Sequence, residues 1–299
     1  MALATLLSEN ATLLVALAFF FSLLVGSFLN VVIHRLPIMM EREWRAQATE
    51  LLAAAESTAP VATADAYNLV VPRSACPHCK APITALQNIP VISYLFLRGK
   101  CAHCSAKISV RYPLVELSTA VLSAVIVSKF GFTWWSAAAV TMTWSLVALS
   151  MIDIDHHLLP DQITLPLVWL GLLISLFATP GTPFAPDMRS SIIGGVAGYL
   201  SLWSVYWAFK LLTRKEGMGY GDFKLLAAFG TWFGWQPLLL IVLLSAFAGA
   251  VVGVSLIAFR GRDRNIPIPY GPYLAVAGWI AMLWGKDIVG WYFTVTGLK

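Results

Sequence analysis

Two aspartates, Asp153 and Asp222, each stand where a long apolar segment meets a short polar turn. Ionisable side chains at a membrane boundary are costly and usually serve a function. Two carboxylates held close together cannot both ionise, so they share a proton, and one can act as a base on water while the other acts as an acid. The chemistry that this pair indicates is aspartyl hydrolysis.

Helix capping is the competing interpretation of both aspartates, because Asp is a favoured N-cap residue. The residues alone leave both interpretations open. Gly219 and Gly221 surround Tyr220 immediately before Asp222, and glycines there would let a substrate backbone pass close by. Asp161 directly precedes an apolar segment and is better explained as a helix N-cap.

All four cysteines form a second constellation of two C-x-x-C pairs, Cys76 with Cys79 and Cys101 with Cys104, about twenty residues apart. This spacing is typical of a zinc site. His78 and His103 are alternative ligands, but four thiolates already complete a tetrahedron. A closed four-thiolate site leaves no position for water, so we expect the zinc to be structural.

The composition fixes the setting in which these groups act. Hydrophobic residues make up 59% of the 299 residues, charged residues 12%, and the mean hydropathy is +0.76, which is far from a soluble domain. We therefore predict an all-α polytopic membrane protein with about eight transmembrane helices and a small cytoplasmic zinc-binding insert after the first helix. The apolar segments are 11–33, 114–128, 134–152, 162–179, 190–209, 225–240, 241–259 and 268–285. Trp235-Gln-Pro237 marks either a turn or a kink between the sixth and seventh.

Lys and Arg residues orient this bundle, because short basic loops are retained in the cytoplasm. The predicted domains are the transmembrane helix 1–33, the insert 34–112 and a membrane-embedded core 113–299. The insert carries nine Lys and Arg residues, so it is predicted to be cytoplasmic. Alternating the spans from a cytoplasmic insert puts 153–161, 210–224 and 260–267 on the cytoplasmic side. Asp153 and Asp222 then lie on the same face.

Residues 41–52 form a predicted amphipathic helix, lying on the membrane or in solvent.

The net charge of +5 gives no reason to expect a nucleic-acid partner, because there is neither a basic patch interleaved with aromatics nor a nucleic-acid-binding motif. No G-x-G-x-x-G follows a predicted strand, so a Rossmann nucleotide site is not expected either. Membrane lipid is the partner that the composition does indicate.

Six motifs in order give the chain a close resemblance to type IV prepilin peptidases. They are Gly26-Ser-Phe-Leu-Asn-Val-Val-Ile-His-Arg-Leu-Pro37, the two cysteine pairs, Arg98-Gly-Lys-Cys101, Arg111-Tyr-Pro-Leu-Val-Glu116, Ile152-Asp-Ile-Asp-His-His-Leu-Leu-Pro-Asp161 and Gly219-Tyr-Gly-Asp222. The resemblance implies a bifunctional enzyme of the bacterial inner membrane. Such enzymes cleave the basic leader from type IV prepilins and type II secretion pseudopilins, then methylate the new N-terminal residue with S-adenosylmethionine.

Carried over to this sequence, the resemblance places the catalytic aspartates at Asp153 and Asp222. Asp153 is preferred to Asp155 because its seven-residue spacing to Pro160 matches the broader GxGD membrane protease pattern. Gly219, Tyr220, Gly221 and Lys224 support the motif. Lys224 either favours ionisation of a carboxylate or is a plain cytoplasmic anchor. His156 and His157 have no role in the resemblance and are expected to be solvated.

The residues that would bind S-adenosylmethionine are unknown from the sequence, because no recognisable loop for it is present. Gly26, Asn30, Arg35 and Glu116 lie near the insert and are candidates for a cofactor or substrate site. Helix packing is an equal explanation for Gly26 and Asn30. Arg35 is alternatively a simple interface anchor, and a pair between Arg35 and Glu116 is compatible with either interpretation. The alternatives for the whole chain are a peptidase without methyltransferase activity and a zinc-stabilised membrane scaffold or transporter.

Overall fold

The computed structural model describes residues 2–56, 67–179, 181–260 and 268–297. These residues form ten α-helices and one short 3-10 helix, Leu86–Asn88. The α-helices are α1 (Ala2–Glu9), α2 (Ala11–Glu56), α3 (Ile92–Phe96), α4 (Arg111–Phe130), α5 (Trp134–His156), α6 (Asp161–Ser175), α7 (Met188–Thr213), α8 (Tyr220–Phe233), α9 (Leu238–Arg260) and α10 (Gly271–Thr296). Residues 261–267, most of the third predicted cytoplasmic loop, lie outside the described residues.

The predicted all-helical membrane fold is confirmed, and each of the eight apolar segments coincides with one helix, α2 or α4 to α10. Among the described residues, α2, α4, α5, α7 and α9 are long and apolar enough to cross a membrane. Helices α6 and α8 are shorter, with 15 and 14 residues against the roughly 20 of a typical span. Gly234 to Pro237 separate α8 from α9, so the open question at Trp235 resolves as a turn.

The first unit of the chain is Met1–Phe132, in which α2 packs against α4. Helix α2 is continuous over 46 residues, so the predicted amphipathic segment 41–52 is the extension of the first membrane helix. A Cβ on Gly26 would lie 2.7 Å from the Cα of Glu116, and Asn30 Nδ2 donates to the Tyr112 carbonyl at 3.1 Å. The two helices therefore approach closely near the start of α4.

The second unit, Thr133–Lys299, is built around α8. Eleven of the 14 residues of α8 are buried, because α6, α7 and α10 all pack against it. Glycines permit the closest of these contacts: a Cβ on Gly194 or on Gly230 would overlap the backbone of the other. The Ser191 hydroxyl donates to the Thr231 carbonyl at 2.6 Å, which adds a hydrogen bond between α7 and α8. This packing fixes the position of the first turn of α8.

Several helix ends in this unit are set by local chemistry. The Thr133 side chain accepts from the Ser136 N–H at the start of α5, and Asp187 does the same for Ser190 at the start of α7. Helix α5 ends at His156, and the C-cap residue His157 lies in the left-handed region, with φ 53° and its N–H donating to the Asp153 carbonyl. The chain then turns through Leu158 to Pro160 and begins α6.

The glycine contact between α7 and α8 gives a direct test of this packing. Gly230→Ala should lower the unfolding free energy by about 1–3 kcal/mol, because the new methyl group overlaps the Gly194 carbonyl and the helices must separate. Thermal unfolding of the purified protein in detergent measures the effect. Gly290→Ala is the matched control: no atom lies within 4 Å of the added Cβ, so its stability should be unchanged or slightly higher. Equal effects of both substitutions would contradict the close packing.

Candidate active site

Asp153 lies in the last turn of α5 and is 5% exposed. Its Oδ2 accepts a hydrogen bond from the Gly271 backbone N–H at 2.9 Å. Gly271 is the first residue of α10, where backbone N–H groups have no partner within the helix. A Cβ at this position would lie 2.7 Å from Oδ2. A glycine is therefore needed for the α10 backbone to reach this carboxylate.

Asp222 lies in the first turn of α8 and is 7% exposed. Its Oδ1 is buried and has no hydrogen-bond partner among the residues that the structure describes. Gly221 lets the α8 backbone approach the turn after α5, since a Cβ there would lie 2.6 Å from the Cβ of Leu159. The buried and unpartnered oxygen is a site for a water molecule or a polar group of a ligand.

The two carboxylates line one cavity of about 290 Å³, at the same end of the second unit. The walls of the cavity are Asp153, His157, Leu159, Glu216, Gly217, Met218, Gly219, Gly221, Asp222, Ile268, Pro269 and Tyr270. The structure thus brings together the two aspartates that span counting placed on one face. Such a cavity can hold a water molecule between an acid and a base.

The neighbouring ionisable residues differ in burial from Asp153. Asp155 and His156 are exposed, as expected for His156. His157 is also exposed, but it forms part of the cavity wall. The α-helical period separates Asp155 from Asp153 by about 200° around α5, because successive residues are about 100° apart. Only one of the two can face the cavity.

Lys224 and Asp161 form an ion pair, with Lys224 Nζ 2.6 Å and 2.7 Å from the two carboxylate oxygens. The prediction that Asp161 is an N-cap is wrong: Pro160 is the N-cap of α6, and Asp161 is the first helical residue. The pair joins α8 two residues after Asp222 to the start of α6. Lys224 therefore helps to hold the start of α8 next to the start of α6.

Tyr220 does not line the cavity but packs beside it. Its ring centroid lies 5.4 Å from those of Tyr206 and Phe223. Lys210 Nζ donates to the Tyr206 hydroxyl at 3.0 Å and to Glu216 Oε1 at 2.8 Å. The hydrogen bond and positive charge of Lys210 lower the pKa of Glu216, so this part of the cavity wall carries a carboxylate at neutral pH.

Three wall residues, Ile268, Pro269 and Tyr270, come from a segment that we did not single out in the sequence as part of the site. The Tyr270 hydroxyl shares a hydrogen bond of 2.6 Å with Ser245 on α9, which holds the start of α10 in place. The signal in the sequence was Pro269-Tyr-Gly-Pro272, a turn-forming run at the start of the last apolar segment. Counting spans puts this run on the same side as both aspartates.

The four cysteine Sγ atoms cluster in the first unit, all within 4.8 Å of one another. Cys76 Sγ is 3.8 Å from Cys104 Sγ, and Cys79 Sγ is 4.0 Å from Cys101 Sγ. Zinc with four Zn–S bonds of about 2.3 Å in a regular tetrahedron holds its sulfurs about 3.8 Å apart. The cluster therefore fits a zinc ion. His78 and His103 are exposed and do not belong to it.

The backbone around each cysteine pair repeats the same turn. Cys76 N–H donates to the Ala81 carbonyl and Cys101 N–H to the Ala106 carbonyl, both at 2.9 Å. The Cys79 and His78 backbone N–H groups point at the Cys76 sulfur and lower the pKa of this thiol to about 6. A thiolate is the form that binds metal.

The four cofactor-site candidates of the first unit have structural partners. Gly26 and Asn30 mediate the contact between α2 and α4 described above. Arg35 donates to the Asn68 carbonyl at 2.9 Å and the Pro72 carbonyl at 2.6 Å, and Glu116 accepts from the Val91 N–H at 2.7 Å. Arg35 and Glu116 therefore do not form the pair that the sequence allowed, because each side chain binds backbone groups of the insert.

Comparison with known proteins supplies a family for these features. Residues 20–130 match the family model of the bacterial peptidase A24 N-terminal domain, and residues 140–254 match that of the type IV leader peptidase family. A protein of Aeromonas salmonicida (strain A449) is 56% identical over 93% of this chain and 94% of its own length. Relatives from Stutzerimonas stutzeri and Pseudomonas aeruginosa are each 54% identical, over 96% and 93% of this chain and 96% and 92% of their own lengths. All three are named prepilin leader peptidase/N-methyltransferase. No solved structure matches.

Removing one thiolate should empty the cysteine cluster. Cys76→Ser should reduce zinc from one ion per chain to a small fraction, because serine is a poor zinc ligand and Cys76 is the buried member of the set. Elemental analysis of protein purified without added metal measures the content. His78→Ala is the control within the same pair and should keep full zinc. Loss of zinc in the histidine variant would contradict the four-cysteine set.

Proposed function

The chain belongs to the type IV leader peptidase family, and on that premise we propose that Asp153 and Asp222 are the two catalytic carboxylates of a bifunctional prepilin peptidase and N-methyltransferase. The observation that carries the proposal is the single cavity lined by both side chains. Membership of this family sets aside the transporter alternative. The substrates we infer are membrane-inserted type IV prepilins and type II secretion pseudopilins.

Hydrolysis of the leader peptide uses the two carboxylates in different protonation states. The ionised carboxylate takes a proton from a bound water, and the water oxygen attacks the scissile carbonyl carbon. The protonated carboxyl donates its proton to the carbonyl oxygen. Collapse of the tetrahedral intermediate breaks the C–N bond: the leaving amine takes a proton from the carboxyl that activated the water, and a hydroxyl of the intermediate returns a proton to the other carboxylate. The shared proton follows from the proximity of two like charges.

The environments of the two carboxylates differ, as expected if one is ionised and the other protonated. The hydrogen bond from Gly271 fixes the orientation of Asp153 and stabilises charge at the start of α10. Asp222 Oδ1 has no partner among the described residues, which leaves it free to bind the water or the scissile carbonyl. Gly217 and Gly219, on either side of Met218, add no side chain to the cavity wall, so an extended substrate backbone can pass close to the dyad there.

We infer that this cavity opens at the cytoplasmic face of the bacterial inner membrane. The end of α7, the turn after it and the start of α8 carry Lys210, Arg214, Lys215 and Lys224, and short basic segments between spans are retained in the cytoplasm. A prepilin presents a basic leader on that side, joined to an apolar helix in the membrane. Its cleavage point then lies at the depth of Asp153 and Asp222.

Methyl transfer to the new N-terminus is the second activity that we propose. The three relatives carry both activities in their names, and S-adenosylmethionine is the methyl donor that the name implies. The four cysteines would hold zinc as a structural ion, since their thiolates occupy every position of a tetrahedron. The residues that bind the methyl donor are not assigned.

Asparagine substitutions test the dyad. Asp153→Asn and Asp222→Asn should each reduce leader cleavage by at least about 10³-fold, because an amide can neither take nor share the proton. Purified enzyme is incubated with a prepilin and S-adenosylmethionine, and the mass of the product is measured. Asp155→Asn should retain normal cleavage, since its side chain is exposed.

Each outcome of that experiment decides a different point. Cleavage at the normal rate by either dyad variant would refute the assignment. A wild-type product that lacks the leader and is one methyl group heavier supports both activities. A product that lacks the leader but carries no methyl group would show a peptidase without methyltransferase activity.

The ion pair between Asp161 and Lys224 should position the dyad without taking part in the chemistry. Lys224→Ala should lower kcat for leader cleavage by about ten- to a hundredfold, because small displacements of reacting groups have effects of this size. The exchanged variant Asp161→Lys with Lys224→Asp should recover at least part of the rate. Lys215→Ala is the control and should cleave normally. Failure of the exchange, with both proteins folded, would refute the positioning role.

A further inference from the structure

We propose that the inter-knuckle segment, residues 86–97 between the two cysteine pairs, is a lipid-binding surface that inserts apolar side chains into the membrane interface. The segment contains the 3-10 helix Leu86–Asn88 and α3. The proposal concerns the first unit alone and does not depend on the peptidase assignment.

Large apolar side chains are displayed on this segment instead of being buried. Phe96 is 84% exposed, Leu86 78% and Leu95 67%, and Ile89 and Ile92 are also exposed. Ile92, Leu95 and Phe96 are spaced by three and four residues, so they occupy one face of α3. The other side of α3 faces protein, because the Tyr94 hydroxyl donates to the Ile108 carbonyl at 3.3 Å. A face of this kind is unfavourable in water and suits a lipid environment.

The depth of the segment follows from its contact with a membrane helix. The Val91 N–H binds Glu116 Oε2 at 2.7 Å, and Glu116 packs against Gly26 of α2. Gly26 lies eight residues before His34, which follows the first apolar segment, and Glu116 lies two residues after Leu114, which begins the second, so their contact lies about 3–12 Å inside the predicted membrane boundary. Helical side chains lean towards the N-terminus, so the Glu116 carboxylate reaches back towards Arg111. Val91 therefore lies between the depth of Glu116 and the membrane boundary.

Charge at the end of the segment matches a phospholipid surface. Arg98 and Lys100 follow α3 directly and are exposed. Basic side chains next to an apolar interfacial helix bind anionic headgroups, while the apolar face enters about 5–10 Å into the boundary between headgroups and acyl chains. The exposed apolar face, its depth and the adjoining positive charge together favour anionic phospholipid as the partner of this segment. The zinc cluster is thereby held at the membrane surface.

Spin labelling measures this insertion directly. The full-length zinc-loaded protein is placed in nanodiscs containing anionic phospholipid, with a genetically encoded spin-labelled amino acid at Phe96, so that the cysteines stay untouched. The accessibility of the label to oxygen, which concentrates in lipid, is compared with its accessibility to a water-soluble nickel complex. We expect the ratio at position 96 to exceed severalfold the ratio at His103, an exposed residue of the second cysteine pair. A label at Leu95, on the same face, should give a similarly high ratio, which shows that the result does not come from the substitution at Phe96 alone.

Two results would overturn the proposal. Equal accessibility to the nickel complex at positions 96 and 103 would place the segment in water. Low accessibility to both reagents at position 96 would show that protein covers it, either a second copy or another part of the chain. Elemental analysis showing full zinc in each labelled protein establishes that the insert is folded in every case.

Discussion

Keeping two carboxylates within an apolar helical bundle is the constraint on which the second unit depends. An unsatisfied polar group in such surroundings costs several kcal/mol, so each carboxylate needs a hydrogen-bond partner from the protein or from water. The start of α10 does this for Asp153 through the Gly271 N–H. Asp222 keeps one oxygen without a protein partner among the described residues, and the cavity beside it can admit water. The cost that remains at Asp222 is consistent with a site kept for chemistry.

Close helix contacts hold the parts of this site together. Two short helices, α6 and α8, carry Asp161 and Asp222 near their starts, and both depend on neighbours for their position. Glycines at the crossing of α7 and α8 bring the backbones together, and the Trp232 indole donates to the Leu167 carbonyl at 2.8 Å to join α8 to α6. Small residues at helix crossings are the usual means of close packing in membranes. The hydrophobic effect does not drive helices together in lipid, so van der Waals contact and hydrogen bonds must do so. The two aspartates are thereby positioned by helices.

The insert of the first unit is stabilised by different means. Its cysteine pairs lie in short turns with few buried residues, and a small segment of this kind usually needs a metal to fold. The membrane helices add anchors: Arg35 binds the carbonyls of Asn68 and Pro72, and Glu116 binds the Val91 N–H. Charged side chains near the membrane boundary are used here to attach the insert. This use explains why Arg35 and Glu116 have partners other than each other.

The sequence by itself determined the helical membrane class and the order of the eight apolar helices, and it pointed to the four cysteines and the two aspartates that the structure brings together in a sulfur cluster and in one cavity. Each of these can be recognised from local composition or from spacing along the chain, because the length of an apolar segment, a C-x-x-C pair and a GxGD turn are short-range patterns. Only the tertiary structure decided the partners of Lys224, Asp161, Arg35 and Glu116, and the part that Gly271 and Tyr270 have in the cavity. These contacts join residues far apart in the chain; Asp153 and Gly271 are separated by 118 positions. Their geometry depends on how the helices pack, and residue spacing does not encode that packing.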